Sequence, residues 1–311
     1  MKALQITKPR EFRIVELDEP RPGPDEVVVQ LEYAAMCNQN DYKIFYGLYG
    51  DLIKYPCDPG VYGHEGVGVV AAVGTDVSSL VKGDRVVMML EGGPMLYRER
   101  VTRKADLVVP VAKHVPPEEA APIELFGCAH HCLAIAGPLA GKTVALCGLG
   151  PAGLAILHLM SLAPPKDLIG VEPSSDRAAV ARSLGLERVV DPSDPKALAV
   201  LVGEGADLVI DATGVPQSIL NSFEITRREV VIFGFTNQSF LVDQSKWFRK
   251  EMVIKNSKVQ TIDDLRAVVR LLEERKINTR PFISGVMSFN DYDKAVEKLY
   301  NKKAVKILLK W

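Results

Sequence analysis

Apolar and polar positions follow two different rhythms along this chain, and the change of rhythm divides it. In the first stretch, short β-favouring runs are separated by turn residues. Met1–Ile6, Arg13–Leu17, Glu26–Leu31 and Asp84–Met89 read as strands. Pro20, Pro22, Gly23 and Pro24 part the second from the third, and Lys82-Gly83-Asp84 introduces the fourth. Such a density of strands and turns predicts a small β-barrel-like domain. From Gly141 the rhythm becomes strand–helix alternation. Strands are predicted at Thr143–Cys147, Asp167–Val171, Arg188–Asp191, Asp207–Asp211 and Glu229–Phe233, with helices at Ala152–Leu162 and Asp176–Leu184. Short, wholly apolar strands alternating with helices imply a parallel, doubly wound sheet, so the fold class is α/β. An amphipathic helix is predicted over Ile262–Arg275. The expected organisation is a first domain over 1–137, completed by 263–311, with a nucleotide-binding domain at 138–262.

Composition narrows the function classes. The 311 residues are 47% hydrophobic and 25% charged, as expected of a soluble globular protein. Thirty-eight basic residues balance 39 acidic ones, for a net charge of −1. That balance carries no electrostatic footprint for nucleic acid or an anionic membrane. The basic residues Lys298, Lys302, Lys303, Lys306 and Lys310 alternate with apolar ones and read as a solvated face. The N-terminus reads as a strand rather than a secretion signal. The longest apolar run, Thr143–Met160, is broken by glycines and Pro151, as in strand–turn–helix rather than a membrane span. The five cysteines have no disulfide spacing, so a reducing cytoplasm is expected.

Two segments carry candidate chemistry. Gly148-Leu149-Gly150-Pro151-Ala152-Gly153 follows a predicted strand and opens a predicted helix. In that context the first glycine allows a tight turn, the second admits a pyrophosphate, and the third lets helix and strand pack closely. The helix N-terminus offers free N–H groups and a positive dipole end to the phosphates. Glu172 ends the next strand, 19 residues beyond Gly153. A carboxylate there accepts hydrogen bonds from ribose hydroxyls and repels a 2′-phosphate, which favours NAD over NADP. Arg177, close by in sequence, pulls the other way.

The second segment is Gly63-His64-Glu65-Gly66-Val67-Gly68, followed by Gly74. His64 and Glu65 are adjacent metal-ligating types. Cys37 and Glu124 are further candidates, the latter in the apolar stretch Ala121–Leu125, where an unpaired carboxylate is costly and a cation would relieve that cost. Taken singly, each of the four also has a structural explanation. His130 and His131, on a predicted helix, are read as packing residues.

Gly63-His64-Glu65-x-x-Gly68-x5-Gly74-x2-Val77 resembles, position for position, the signature of the zinc-containing medium-chain alcohol dehydrogenases. Gly83-Asp84-Arg85-Val86 and Pro116–Cys132 resemble the segments that follow it, and the resemblance spans essentially the whole chain. It implies a GroES-like β-barrel catalytic domain, an inserted Rossmann domain and a returning C-terminal segment. It also implies a single catalytic zinc with Cys37 and His64 as ligands. Glu65 matches a ligand or near-ligand, and Glu124 matches the fourth-ligand position of the sorbitol- and threonine-dehydrogenase branch. Relatives usually form homodimers or homotetramers through the Rossmann sheet edge, here near Val231 and Val253.

The chain departs from that pattern in three places, one of them Leu125 after Glu124, where that branch usually carries proline. It runs from Met89 to Tyr97 with no cysteine, so the lobe that binds a structural zinc in many relatives is missing. Three residues rather than two separate Cys37 from Asp41. Asn40 stands where relatives carry the Ser or Thr hydroxyl that relays the substrate proton, and Lys43 replaces a histidine. An amide can hydrogen-bond an alkoxide but cannot itself relay a proton. Asn38–Lys43 also resembles the Asn-Pro-x-Asp-Tyr-Lys run of zinc-free quinone reductases. The resemblance therefore implies zinc-dependent hydride transfer between a secondary alcohol, such as a polyol or sugar, and NAD(H). The alternatives are a zinc-free reductase and a non-catalytic nucleotide-binding protein. Tyr46, Tyr97 and Phe235–Trp247 are candidates for the substrate pocket.

Overall fold

A computed structural model describes residues 1–60 and 62–311. The chain divides into two compact units, Met1–Leu125 with Ile262–Trp311, and Phe126–Thr261. The helix Ile123–Ala136 straddles the first division, whereas the sequence pattern put the boundary after that helix, at 137. The second division, at Thr261/Ile262, falls where the amphipathic helix Ile262–Glu273 begins.

The first unit is built on a largely antiparallel seven-stranded sheet. Its path runs Ile283–Ser288, Lys306–Lys310, Glu26–Ala35, Glu65–Val73, Arg85–Met88 and Val108–Pro110, and Arg100–Lys104 also pairs with Glu26–Ala35. A separate hairpin joins Lys2–Lys8 to Glu11–Glu16. Alternation explains the core. Val27, Val29 and Leu31 on the long central strand, Val70 on its neighbour, Val86 on the strand beyond that, and Ile307 and Leu309 on the returning strand all enter one buried cluster. The returning strand pairs antiparallel with the central one, Leu308 opposite Ala35, while Glu65 lies opposite the other side of Ala35. Residues 65 and 306 are thereby brought to the same end of the sheet.

That placement corrects the reading of the C-terminal lysines. Lys298, Lys302, Lys303 and Lys310 are exposed as expected, but Lys306 is buried at 1% exposure. Alternation along the strand Lys306–Lys310 puts Lys306 on the side of Leu308, which is itself wholly buried, and opposite the core residues Ile307 and Leu309. Its ammonium is taken up by a buried carboxylate, described below.

The second unit is a six-stranded sheet whose adjacent strands all pair in parallel. Its order is Arg188–Val190, Asp167–Val171, Thr143–Cys147, Ala206–Asp211, Thr226–Ile232, Val253–Asn256. The order reverses beside Thr143–Cys147, which is where open parallel sheets bind ligands, outside the carboxyl ends of the strands. Helices Pro151–Met160 and Ser175–Ser183 follow the first two strands in sequence. Val253–Asn256 is an edge strand, with Val253 and Ile254 exposed at 39% and 43%. Among the described residues no helix is long and apolar enough to cross a membrane, and all five cysteines are free.

Candidate active site

Cys37 leaves the central strand just before a short helix, Asp41–Phe45. His64 and Glu65 lead into the strand Glu65–Val73 beside it. One ligand atom from each of Cys37, His64 and Glu65 can be chosen so that all three lie within 4.8 Å of one another. Cys37 and His64 are half-buried and Glu65 is buried. Glu124, in the first turn of the helix Ile123–Ala136, is 6% exposed and stands outside this group of three. Its charge is nonetheless felt at His64, Glu65 and Lys306.

The electrostatics show a site that is crowded with negative charge. Burial alone would lower the His64 imidazole, but a hydrogen bond and charge from Cys37, with Glu124 and Glu65 behind it, push it up to about 10. Burial lifts the Glu65 carboxyl above its usual range against the pull of Lys306. Burial would lower Lys306, yet Glu65, Cys37 and Glu124 hold its ammonium above its ordinary value. The Lys306 Nζ donates to Glu65 Oε1 and, at 3.0 Å, to the Met36 carbonyl. Glu65 Oε2 is buried with no hydrogen-bond partner. A buried carboxylate oxygen left unsatisfied is costly, and a cation held beside Cys37 and His64 would satisfy it. The donor set of thiolate, imidazole and carboxylate suits zinc.

A polar cluster adjoins the thiol. Asp41, 2% exposed, accepts from the Cys37 N–H at 2.6 Å on Oδ2, and from the Tyr97 and Tyr292 hydroxyls at 2.6 and 3.0 Å on Oδ1. Tyr49 donates to Asn40 Oδ1 at 2.7 Å, and its ring lies 5.7 Å from the Lys43 Nζ. Burial lowers the Lys43 pKa, and the charge of Cys37 opposes that shift. No local sequence pattern marks Tyr49 or Asp41 as a site residue. The Cys37–Asp41 spacing was the one signal that touched them. Tyr97, a pocket candidate from sequence, is instead wholly buried, and Tyr46 packs against Phe45 and Tyr300. His130 and His131 lie half-buried on the helix Ile123–Ala136.

In the second unit the glycine-rich turn takes the expected form. Gly148 has φ +87°, and a Cβ on Gly153 would lie 1.8 Å from the Gly148 carbonyl oxygen. A Cβ on Gly150 would meet nothing closer than the Arg177 guanidinium at 3.7 Å, which leaves the turn open on that side. Gly150 is the N-cap of the helix Pro151–Met160 and has no side-chain cap, so the first-turn N–H groups face no side-chain acceptor there. Glu172, 5% exposed, accepts from the Leu149 N–H at 2.8 Å and from the Ser174 N–H at 3.0 Å, with Arg177 4.0 Å away. The cradle fits a dinucleotide, and the carboxylate is fixed directly beneath it.

Residues 23–112 match the alcohol dehydrogenase GroES-like domain, and residues 148–274 match the zinc-binding dehydrogenase family. The chain belongs to the zinc-containing medium-chain alcohol dehydrogenase family. Membership makes it an oxidoreductase of the alcohol dehydrogenase class, in a family of zinc-binding dehydrogenases. It is 27% identical to D-arabinitol dehydrogenase 1 of Uromyces fabae, over all of this chain and 97% of that protein. It is 26% identical to the probable D-xylulose reductase A of Aspergillus clavatus, over 94% and 92%. Its fold matches the crystal structure of 2R,3R-butanediol dehydrogenase from Bacillus subtilis with a TM-score of 0.88 at 24% identity, covering 100% and 99% of the two chains.

Proposed function

We propose that this dehydrogenase moves a hydride between a secondary alcohol of the polyol or sugar type and NAD(H), at one catalytic zinc held by Cys37, His64 and Glu65. The observation that carries the reading is the close grouping of those three donors, with Glu65 Oε2 unsatisfied. The arabinitol and xylulose enzymes among its relatives support the polyol class. Bound zinc supplies Lewis-acid polarisation of the substrate oxygen, and the nicotinamide supplies or accepts the hydride.

The chain's own residues do the rest. Glu124, whose charge acts on His64 and Glu65, is the alternative carboxylate ligand. With Asn40 Oδ1 engaged by Tyr49, the Asn40 amide presents its N–H donors, which suit the substrate oxygen. Lys43 Nζ takes the hydroxyl proton, a role that its lowered pKa favours. In the second unit the turn Gly148–Gly153 and the helix N-terminus hold the pyrophosphate, and Arg177 flanks it. Glu172 accepts from the ribose hydroxyls and disfavours a 2′-phosphate, the basis for NAD over NADP. The exposed edge strand Val253–Asn256 supports a homo-oligomer joined along that edge. Five free cysteines are consistent with a reducing cytoplasm.

The test is zinc per chain by elemental analysis, together with NAD-linked oxidation of a polyol panel. About one zinc per chain is expected for a single three-ligand site, lost in Cys37→Ser and His64→Ala. Zinc-free protein that still reduces a quinone with NAD(P)H would replace this reading with the zinc-free reductase.

A further inference from the structure

Two ligand-bearing loops, one ending the central strand at Cys37 and the other opening the next strand at His64, must be held at a fixed separation if their donor atoms are to share a metal. We propose that Tyr97 is the positioning residue that sets this separation. The inference rests on the reading of Cys37 and His64 as metal ligands.

Tyr97 touches both loops. On one side its hydroxyl donates to Asp41 Oδ1 at 2.6 Å, while Asp41 Oδ2 accepts from the Cys37 N–H at 2.6 Å. One carboxylate therefore connects the phenol to the backbone of the thiol residue. On the other side its ring lies flush against Gly63, the residue before His64. A Cβ on Gly63 would sit 2.2 Å from Tyr97 Cδ1, and Gly63 has φ +79°, so glycine is required there twice over. The backbone secures the same contact: the Tyr97 N–H donates to the Tyr62 carbonyl at 3.2 Å and the Leu96 N–H to the Gly63 carbonyl at 2.8 Å. The residue itself cannot drift. It is 0% exposed, its carbonyl accepts from the Leu4 N–H, and its ring meets Phe289 and Tyr292 edge-on.

Tyr292 provides an internal control. Its hydroxyl donates to the same Asp41 oxygen at 3.0 Å, and Gly63 has no contact with it among its nearest neighbours. If Asp41 needed only hydrogen bonds to its buried carboxylate, the two phenols would be equivalent. If the distance between the loops is what matters, Tyr97 outweighs Tyr292. Tyr97 also closes the short segment that follows Met89, so that segment ends directly on the metal loops.

The experiment compares Tyr97→Phe, Tyr292→Phe and Cys37→Ser in the full chain. Zinc affinity is measured by competition with a chromogenic chelator, the thiolate–cobalt absorption band after cobalt substitution, and thermal unfolding on the metal-free proteins. Removal of a group that orients a ligand typically weakens metal binding by about 10–100-fold, and Tyr97→Phe is expected to fall in that range with a shifted cobalt band. Tyr292→Phe is expected to retain the wild-type band and lose far less affinity. Asp41→Asn, tested alone and with Tyr97→Phe, should give a loss that does not add to that of Tyr97→Phe. Equal zinc losses in the two phenylalanine variants, or unaltered affinity and cobalt band in Tyr97→Phe, would overturn the proposal. Wild-type zinc affinity in Cys37→Ser would instead overturn the ligand assignment beneath it.

Discussion

Glu65 and Lys306 form a fully buried ion pair across the central strand of the first unit, 241 residues apart in sequence. Breaking a buried pair by removing one partner strands the other charge. Lys306→Met is expected to destabilise the metal-free protein by about 3–5 kcal/mol in urea unfolding. The double change Glu65→Gln with Lys306→Met should recover most of that loss. Saturating zinc should narrow the gap between Lys306→Met and wild type, because the metal takes over the charge of Glu65. Equal stability of Lys306→Met and wild type without metal would show that the pair does not balance the site.

Lys43 makes a prediction about pH. Burial lowers its pKa below 10.5, so the neutral amine that can accept a proton becomes available at lower pH than for a free lysine. Alcohol oxidation should rise with pH through that lowered pKa. Lys43→Arg, which stays protonated, should lose the ascending limb while zinc content is unchanged. A pH–rate profile settles it, and an unaltered limb in Lys43→Arg would remove Lys43 from the proton path.

Much of the second unit was legible in the sequence, for a physical reason. Strands buried on both faces read as continuous apolar runs, and Thr143–Cys147 and Asp167–Val171 are observed with the predicted bounds. The helix expected over Ile262–Arg275 begins at Ile262 and ends at Glu273. His64, Glu65 and Cys37 were legible as ligand types, but their nearness was not, because it depends on pairing between strands distant in sequence. Lys306 was misread because alternation with apolar neighbours has the same pattern whether the lysine faces water or a buried carboxylate. Asp41, Tyr97 and Tyr292 come from three separate segments, and no local pattern links them.

Arg103 is 1% exposed, and its Nε and Nη1 have no hydrogen-bond partner, while its Nη2 donates to the Pro94 carbonyl at 2.9 Å. Burial pulls its pKa down to about 10, with the charge of Arg98 acting the same way. Replacing a poorly compensated buried charge by an apolar side chain of similar length is often neutral or stabilising, by up to about 4 kcal/mol. Arg103→Met should therefore melt at or above the wild-type temperature. Arg103→Ala, which empties the space beside Gly92 and Gly93, should lose about 2 kcal/mol or more. A large loss in Arg103→Met would mean that the single bond to Pro94 outweighs the buried charge.

Glu172 should decide the coenzyme. Its carboxylate is fixed by the Leu149 and Ser174 N–H groups, with Arg177 at 4.0 Å. Glu172→Ser is expected to raise the KM for NAD and lower that for NADP, because Arg177 then faces a 2′-phosphate without an opposing carboxylate. Equal effects on the two coenzymes would mean that Glu172 serves only to brace the turn.

The central strand of the first unit lies between a partner made early and one made late, and this orders the events of synthesis. Cys37, His64 and Glu65 leave the ribosome long before Lys306, whose ammonium also reaches back 270 residues to the Met36 carbonyl. Until that strand arrives, the nascent chain holds a cluster of acidic donors with no lysine to offset it. The late strand therefore brings the ammonium that pairs with Glu65, so a chain ended before it would leave that buried carboxylate without its counter-charge.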